Sequence, residues 1–268
     1  MIASIVANDE KEVGYGMNVA GKTILVTGGA GGIGEAIVRT LSEKGAQVFI
    51  LDLPAAEANA QKRIEEAGAS GGKVFFEPVD STKEADWQRA VTHVLGKTGR
   101  VDVLVNNAGI NIRKPIEEMS YDEWMTMMSV NVGGVFLGIK YVLPVMRTQG
   151  GGAIINTSSV CGLIGHKYTP EAYTASKGAV TLLTKAVASR YGAVNIRCNS
   201  IHPSTVDTPL VHERLKDPAF AAERLGEVPL GRLATAQDVA NAIWYLASEE
   251  ASYINGASLT VDGGVTCY

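Results

Sequence analysis

Three observations predict an α/β fold for this sequence, a Rossmann-type doubly wound parallel sheet in a single domain. Short β-branched runs alternate with longer amphipathic stretches from Gly21 onward. The first runs are apolar at every position, and a glycine-rich turn joins the first run to the first amphipathic stretch. Continuous apolarity suits strands buried on both faces, as in a parallel sheet covered by helices. Strand–helix alternation with right-handed crossovers then gives double winding.

The elements follow in order. Thr23 to Thr27 predicts the first strand and Ile33 to Lys44 the first helix. Gln47 to Leu51 is the second strand, and a helix follows from Ala55 to Ala67, with Pro54 suited to open it. Further strands are expected at Lys73 to Glu77, Val101 to Asn106 and Ala153 to Thr157, with helices at Glu84 to Leu95 and Tyr121 to Arg147 between them. A helix from Ala172 to Tyr191, a strand from Asn195 to Ile201, a helix from Ala236 to Ser248 and a strand from Ser258 to Val261 complete the pattern. Residues 1–20 read as an N-terminal arm and 21–268 as the folded domain. Within it, 205–233 lacks periodicity and carries Pro209, Pro218 and Pro229, which predicts a lid over a binding site.

Composition narrows the function. Hydrophobic residues at 46% and charged residues at 19% exclude a disordered chain. A net charge of -4 without a basic run argues against nucleic acid as a partner. The polar start of the chain lacks the apolar core of a signal peptide. The apolar stretch from Val130 to Met146, broken by Asn131, Lys140 and Pro144, reads as a buried helix rather than a membrane span. Cys161, Cys198 and Cys267 lie far apart, which suits reduced thiols in the cytoplasm. No His, Cys or Asp cluster has metal-ligand spacing, so no metal is expected.

Ligands of doubly wound sheets bind beyond the carboxyl ends of the strands, so those ends hold the candidate chemistry. The first strand ends in Thr27-Gly28-Gly29-Ala30-Gly31-Gly32-Ile33-Gly34 and runs straight into a helix. Glycines there let backbone approach a pyrophosphate, and the helix N-terminus favours its charge. Asp52 ends the second strand, where a carboxylate can take the adenosine ribose hydroxyls and repel a 2′-phosphate. No Arg or Lys stands in the glycine loop or directly after that strand, so NAD is preferred over NADP. Asp52 also suits a cap on the following helix. Asp80, after the third strand, can meet the adenine edge, although Ser81 and Glu84 form a capping-box pattern that explains the same turn. Asn107-Ala108-Gly109 after the fourth strand permits close approach of a ligand and equally suits an ordinary turn. Tyr173 and Lys177, four apart on a helix, share one face at about 5–6 Å. A nearby ammonium favours the phenolate of a group whose ordinary pKa is near ~10.

Together these segments resemble the short-chain dehydrogenase/reductase family over nearly the whole chain, from Gly21 to Gly264. Thr27, Gly28, Gly32 and Gly34 meet the spacing T-G-x-x-x-G-x-G, and N-N-A-G and Y-x-x-x-K follow in the family's order. The resemblance implies that Tyr173 is the general acid/base and that Lys177 lowers its pKa and holds the nicotinamide ribose. It implies a serine at Ser158 or Ser159, the pattern S-x-x-G favouring Ser159, that hydrogen-bonds the reacting oxygen. Asn131 matches a helix asparagine that orders a relay water. Val206 and Thr208 would frame the nicotinamide carboxamide in Pro203-Ser204-Thr205-Val206-Asp207-Thr208, where Ser204 replaces the family's glycine. Ile33 belongs to the same dinucleotide set.

The resemblance further implies a homotetramer and a secondary alcohol or ketone substrate. Candidate substrate liners are Arg113, Val160, His166, Tyr168, Leu210 and His212. Arg113 stands where sugar-acid enzymes of the family carry a cation, whereas Val160, Leu163, Ile164 and Leu210 suit a steroid or cyclic alcohol. His202 and His93 read as structural. The alternatives are a catalytically silent dinucleotide sensor, which the full set Asn131, Ser159, Tyr173 and Lys177 argues against, and a sugar epimerase or dehydratase.

Overall fold

Seven strands form one parallel sheet in the order β3-β2-β1-β4-β5-β6-β9. They are β1 (Thr23–Thr27), β2 (Gln47–Asp52), β3 (Lys73–Pro78), β4 (Val103–Asn106), β5 (Gly152–Thr157), β6 (Ile196–Pro203) and β9 (Ser258–Val261). The computed structural model describes residues 17–268, and of Leu210 only the backbone.

The continuous apolar runs have the expected cause. Successive strand residues point to opposite faces, and each face meets helices. Ile24, Val26, Val48 and Ile50 pack into one core layer, while Leu25, Phe49 and Leu51 belong to the other. The first layer is covered by α1 (Gly32–Glu43), α2 (Glu57–Ala69) and α9 (Ala236–Ala247). The second is covered by α3 (Glu84–Thr98), α5 (Gly134–Gln149) and α6 (Glu171–Tyr191). Strand order reverses between β1 and β4, so a crevice opens beyond their carboxyl ends, which is where ligands of such sheets bind.

The long helix expected from Tyr121 is interrupted. α4 (Tyr121–Met128) begins with a Ser120–Glu123 capping box, gives way to a π-turn at Ser129–Gly133 and resumes as α5. Asn131 sits in that wider turn. By length and composition 121–149 is apolar enough to cross a membrane. Here Val135, Leu137, Ile139, Val142 and Met146 are buried in the second core layer.

The stretch 205–233 is more ordered than its prolines suggest. It contains β7 (Val206–Asp207), α7 (Pro209–Leu215) and α8 (Pro218–Gly226), and β7 pairs with β8 (Ala234–Thr235). Pro209 and Pro218 each stand in the first turn of a helix, where the missing N–H costs nothing. Two of the three prolines that signalled a loop are helix starts, and Pro229 lies in a turn. The described end of the predicted arm is anchored as well: Val19 is buried, and the Trp244 indole donates to the Met17 carbonyl at 2.7 Å. The rest of the arm, 1–16, lies outside the described residues.

Candidate active site

The turn from β1 to α1 is shaped by the side chains its glycines lack. Gly28 has φ 64, and a Cβ there would lie 3.0 Å from the Ala108 Cα. At Gly34 a Cβ would meet the Gly28 carbonyl oxygen at 1.9 Å. The helix therefore starts hard against the turn, while Gly32 faces open space. Helix α1 has no side-chain cap, so its first N–H groups and its positive end remain available to an anion.

Asp52 is placed to face both the turn and the crevice. Its Oδ2 accepts from the Ala30 N–H at 3.1 Å and its Oδ1 from the Leu53 N–H at 2.9 Å. It caps no full helix turn, because Pro54–Ala56 is a 3₁₀ segment without a side-chain cap. A cavity of about 870 Å³ lies beside it, lined in part by Gly28, Asp52, Asp80, Ala108 and Gly109. The capping box expected at Ser81 and Glu84 does not form. Helix α3 starts from Lys83, and Glu84 instead pairs with Lys140 at 2.5 Å. Asp80 uses Oδ1 on the Thr82 N–H and hydroxyl at 3.0 and 2.7 Å, and the hydroxyl bond lowers its pKa. Its second oxygen is 3.5 Å from Lys83.

A second cavity, of about 320 Å³, meets the first at Gly109 and Ile110 and runs past Ile33, Ser159, Tyr173 and Lys177. The wall between them is braced. Asn107 donates through Nδ2 to the carbonyls of Thr27 and Gly28, both at 3.2 Å, and the Thr27 hydroxyl accepts from the N–H groups of Asn107 and Ala108, both at 3.0 Å.

Tyr173, Ser176 and Lys177 lie on the face of α6 that meets the end of β5. Lys177 is buried, its Nζ donates to the Thr157 carbonyl at 2.8 Å, and it stands 5.6 Å from the Tyr173 ring centre. Ser158 and Ser159 have different tasks. The Ser158 hydroxyl is held by the Lys177 carbonyl at 2.9 Å and Thr181 at 3.1 Å. The Ser159 hydroxyl accepts from the Cys161 N–H at 3.2 Å and lines the cavity with Tyr173, whose pKa it lowers. The Ser158 proton is thus engaged within the fold, whereas Ser159 keeps an O–H free at the cavity wall.

The expected acidification of Tyr173 by Lys177 is not what the protein's own groups produce. Burial pushes the phenol up to about 12, reinforced by Cys161, while Ser159 and Arg113 pull the other way. Burial also pushes Lys177 down to about 8.

Asn131 is held from three sides. Its Oδ1 accepts from the Ile110 N–H at 2.8 Å, and its Nδ2 donates to the Ile110 carbonyl at 2.9 Å and the Ser176 hydroxyl at 3.0 Å. Wholly buried, this side chain ties the β4 loop to α6.

Beyond β6, Ser204 takes the place of the expected glycine without a positive φ. Its buried hydroxyl has no partner and the residue lines the cavity, as do Val206 and Thr208. Thr208 precedes α7 without capping it, which leaves its hydroxyl free for a ligand.

Of the expected substrate liners, Arg113, Val160 and His166 face the cavity. His166 is held by Glu227 at 3.2 Å. Tyr168, Leu163 and Ile164 lie outside the lining and are exposed, and His212 is exposed beside Asp207 at 3.3 Å. Leu210 lies on α7, and its side chain falls outside the described residues. Phe220, Arg224, Val211 and Val265 line the cavity without having been foreseen, because they come from helices and a C-terminal turn far away in sequence.

His202, expected to be structural, braces the Ser159 backbone. Buried completely, it joins the Ser159 carbonyl at 2.8 Å through Nδ1 and the Ser200 hydroxyl at 2.8 Å through Nε2. Burial lowers its pKa, so it stays neutral. Only its place two residues along β6 from Ser200 could have signalled this.

A family model described as Enoyl-(Acyl carrier protein) reductase matches residues 28–266. The chain is 42% identical over 245 residues to cyclopentanol dehydrogenase of Comamonas sp. (strain NCIMB 9872), covering 91% of this chain and 97% of the relative. It is 40% identical over 252 residues to trans-4-hydroxycyclohexanecarboxylate dehydrogenase of Sinomonas cyclohexanicum, covering 92% and 94%. A solved structure from Beutenbergia cavernae with NADP bound at low occupancy superposes with a TM-score of 0.87 at 33% identity, covering 94% of this chain and 99% of that one. With the sheet order, the glycine turn and the Tyr173–Lys177 pair in place, the chain belongs to the short-chain dehydrogenase/reductase family.

Proposed function

We propose that this protein is an NAD-dependent dehydrogenase that interconverts a small secondary alcohol, cyclic or compact, and its ketone. The observation that carries this reading is the gathering of Ser159, Tyr173 and Lys177 in one cavity that joins the crevice beside Asp52. The residues fit a dinucleotide: the close-packed glycine turn presents the uncapped start of α1, and the orphaned Ser204 hydroxyl lies in the nicotinamide half. Gly28, Gly32, Ile33, Gly34, Asn107, Ala108 and Gly109 would hold the dinucleotide, with Asp52 and Asp80 at its adenosine end and Val206 and Thr208 at its carboxamide. When bound, the nicotinamide supplies or accepts hydride.

The chain's own residues manage the proton and the oxygen. Ser159 donates a hydrogen bond to the reacting oxygen and fixes its place. Tyr173 gives its phenolic proton to that oxygen in ketone reduction and takes one back in alcohol oxidation. Lys177 is held at the Thr157 carbonyl, from which it orients the ribose and stabilises the phenolate as it forms. Asn131 and His202 act through Ser176, Ile110 and Ser159 as positioning residues.

Asp52 supports NAD over NADP, since a carboxylate repels a 2′-phosphate. The cavity volume supports a small substrate. About 320 Å³ stands at the lower end for drug-sized ligands, and the nicotinamide shares it. A steroid, one of the expected classes, fits this volume less well. A silent sensor would have no need of Tyr173 and Lys177 paired at the cavity wall. The expected homotetramer agrees with large exposed apolar side chains such as Tyr121, Phe136 and Leu182, and light scattering tests it. The cytoplasm and the role of 205–233 as a lid belong to the same reading. NADH fluorescence titration beside a panel of secondary alcohols and ketones tests the function: turnover supports it, and tight binding with no turnover of any member points to the sensor.

A further inference from the structure

The smaller cavity is walled mostly by the loops after β4, β5 and β6, by α6 and by the helices α7 and α8. Among its described lining residues only Val265 comes from beyond β9. The turn that carries Val265 is pinned from within. The Asp262 carboxylate accepts from the Gly264 N–H at 3.1 Å, the Thr266 N–H at 2.9 Å and the Thr266 hydroxyl at 2.7 Å. The Val265 N–H itself donates to the Asp262 carbonyl at 3.3 Å.

The same turn is pinned from outside by the chain that leaves α8. The Leu230 N–H donates to the Gly263 carbonyl at 3.1 Å. Gly263 and Gly264 take φ 62 and 96, and a Cβ on them would lie 2.6 Å from Val228 Cγ1 and 3.0 Å from Pro229 Cγ. Glycine is needed there twice over, for the left-handed backbone and for the close approach of Val228 and Pro229. Arg224 and Glu227, just before that contact, line the cavity too, so Val265 stands at its α8 side. It takes no part in the wall of the larger cavity beside Asp52.

Such a wall does not yield. A β-branched side chain is restricted at χ1, and its backbone is tied on both flanks. Val211 and Phe220, by contrast, ride on α7 and α8, which are held over the cavity by side-chain bonds such as His166–Glu227 at 3.2 Å. A bulky ligand can displace those helices more easily than the C-terminal turn.

We infer that Val265 is a specificity-determining residue for the alcohol: its branched side chain closes the cavity against bulk carried on the side of the substrate remote from its hydroxyl. This rests on the dehydrogenase reading above and deepens it. Ser159 and Tyr173 hold the hydroxyl, and the C-terminal turn reads the size of what is attached to it.

The test uses the full-length enzyme at saturating NAD and a graded series of alcohols: cyclopentanol, cyclohexanol, and 4-methyl-, 4-ethyl- and 4-tert-butylcyclohexanol. Val265→Ala should raise kcat/KM for the bulkiest members relative to cyclopentanol by about tenfold or more, the scale on which a pocket reads one or two methylene groups. Val265→Phe should move the same ratio the other way. KM for NAD should stay at the parent's value in both. Val265 is only half-buried, so the alanine variant should keep the parent's thermal midpoint, and it carries the test if the larger side chain prevents folding. A size ratio that Val265→Ala leaves unmoved, or a change confined to KM for NAD, overturns the inference and leaves the dehydrogenase standing. Absence of turnover of every alcohol by the parent overturns both.

Discussion

The Asp52 carboxylate accepts the Ala30 N–H at 3.1 Å, so the end of β2 braces the glycine turn at the end of β1. One side chain thus joins local structure to cofactor choice. Asp52→Asn combined with Leu53→Arg keeps an oxygen for Ala30 while replacing the negative charge with a positive one. The kcat/KM ratio for NADP over NAD should rise about 10–100-fold, as expected for a charge-assisted bond gained and a repulsion lost. An unchanged ratio would mean that the ribose is read elsewhere.

The two adjacent serines separate by their partners. Ser159→Ala removes a donor beside the Tyr173 phenol and should lower kcat about 10²–10³-fold, as loss of one donor to a reacting oxygen does elsewhere. Ser158→Ala breaks the bond to the Lys177 carbonyl and should instead lower stability by about 1–3 kcal/mol, with a smaller loss in kcat. Steady-state kinetics and urea midpoints on the two variants decide it, and the reverse order of kcat losses would exchange their roles.

Gly34 and Gly31 offer a steric contrast within one turn. A Cβ at Gly34 falls 1.9 Å from the Gly28 carbonyl oxygen, whereas one at Gly31 meets nothing within 4 Å and the backbone there is extended, φ -159. Without added cofactor, Gly34→Ala should lose about 1–3 kcal/mol or more through overpacking, and Gly31→Ala should unfold close to the parent. Equal thermal midpoints for the two variants would refute the tight seat of α1 on the turn.

Lys177 links the active site to pH-dependent stability. Burial lowers its pKa to about 8 from 10.5. Between those values the unfolded chain binds a proton that the folded chain does not, so stability rises with pH across that window, by about 3 kcal/mol at most. Tyr173 acts in the opposite sense above pH 10, since its folded phenol, near 12, keeps a proton the unfolded chain loses. Urea midpoints at pH 8, 9 and 10 should climb for the parent relative to Lys177→Met. Parallel curves would show that the lysine is not held out of water.

Much of this was legible in the sequence, for physical reasons that vary by segment. Strands buried on both faces announce themselves, and Thr23–Thr27 and Ser258–Val261 end where their patterns end. The glycine turn, Asp52, Tyr173 and Lys177 carry chemistry at fixed local spacing. The helices α7 and α8 stayed hidden because proline marks a helix start as readily as a loop. The Ser81–Glu84 box failed because Asp80 and Asp86 satisfy the same turn from either side, Asp86 taking the Asp80 N–H at 2.9 Å. The bonds of Asn131 to Ile110 and Ser176 span 21 and 45 residues and have no local signature. The pairing of Ser159 with His202 spans 43 residues and has no local signature.

The central claim is that Tyr173 transfers the proton. The most direct measurement is kcat of Tyr173→Phe on the best substrate of the alcohol and ketone panel, taken with an NADH fluorescence titration of the same variant. The account predicts a loss of about 10²–10⁴-fold in kcat with NADH still bound. Turnover near that of the parent would contradict it and remove Tyr173 from the mechanism.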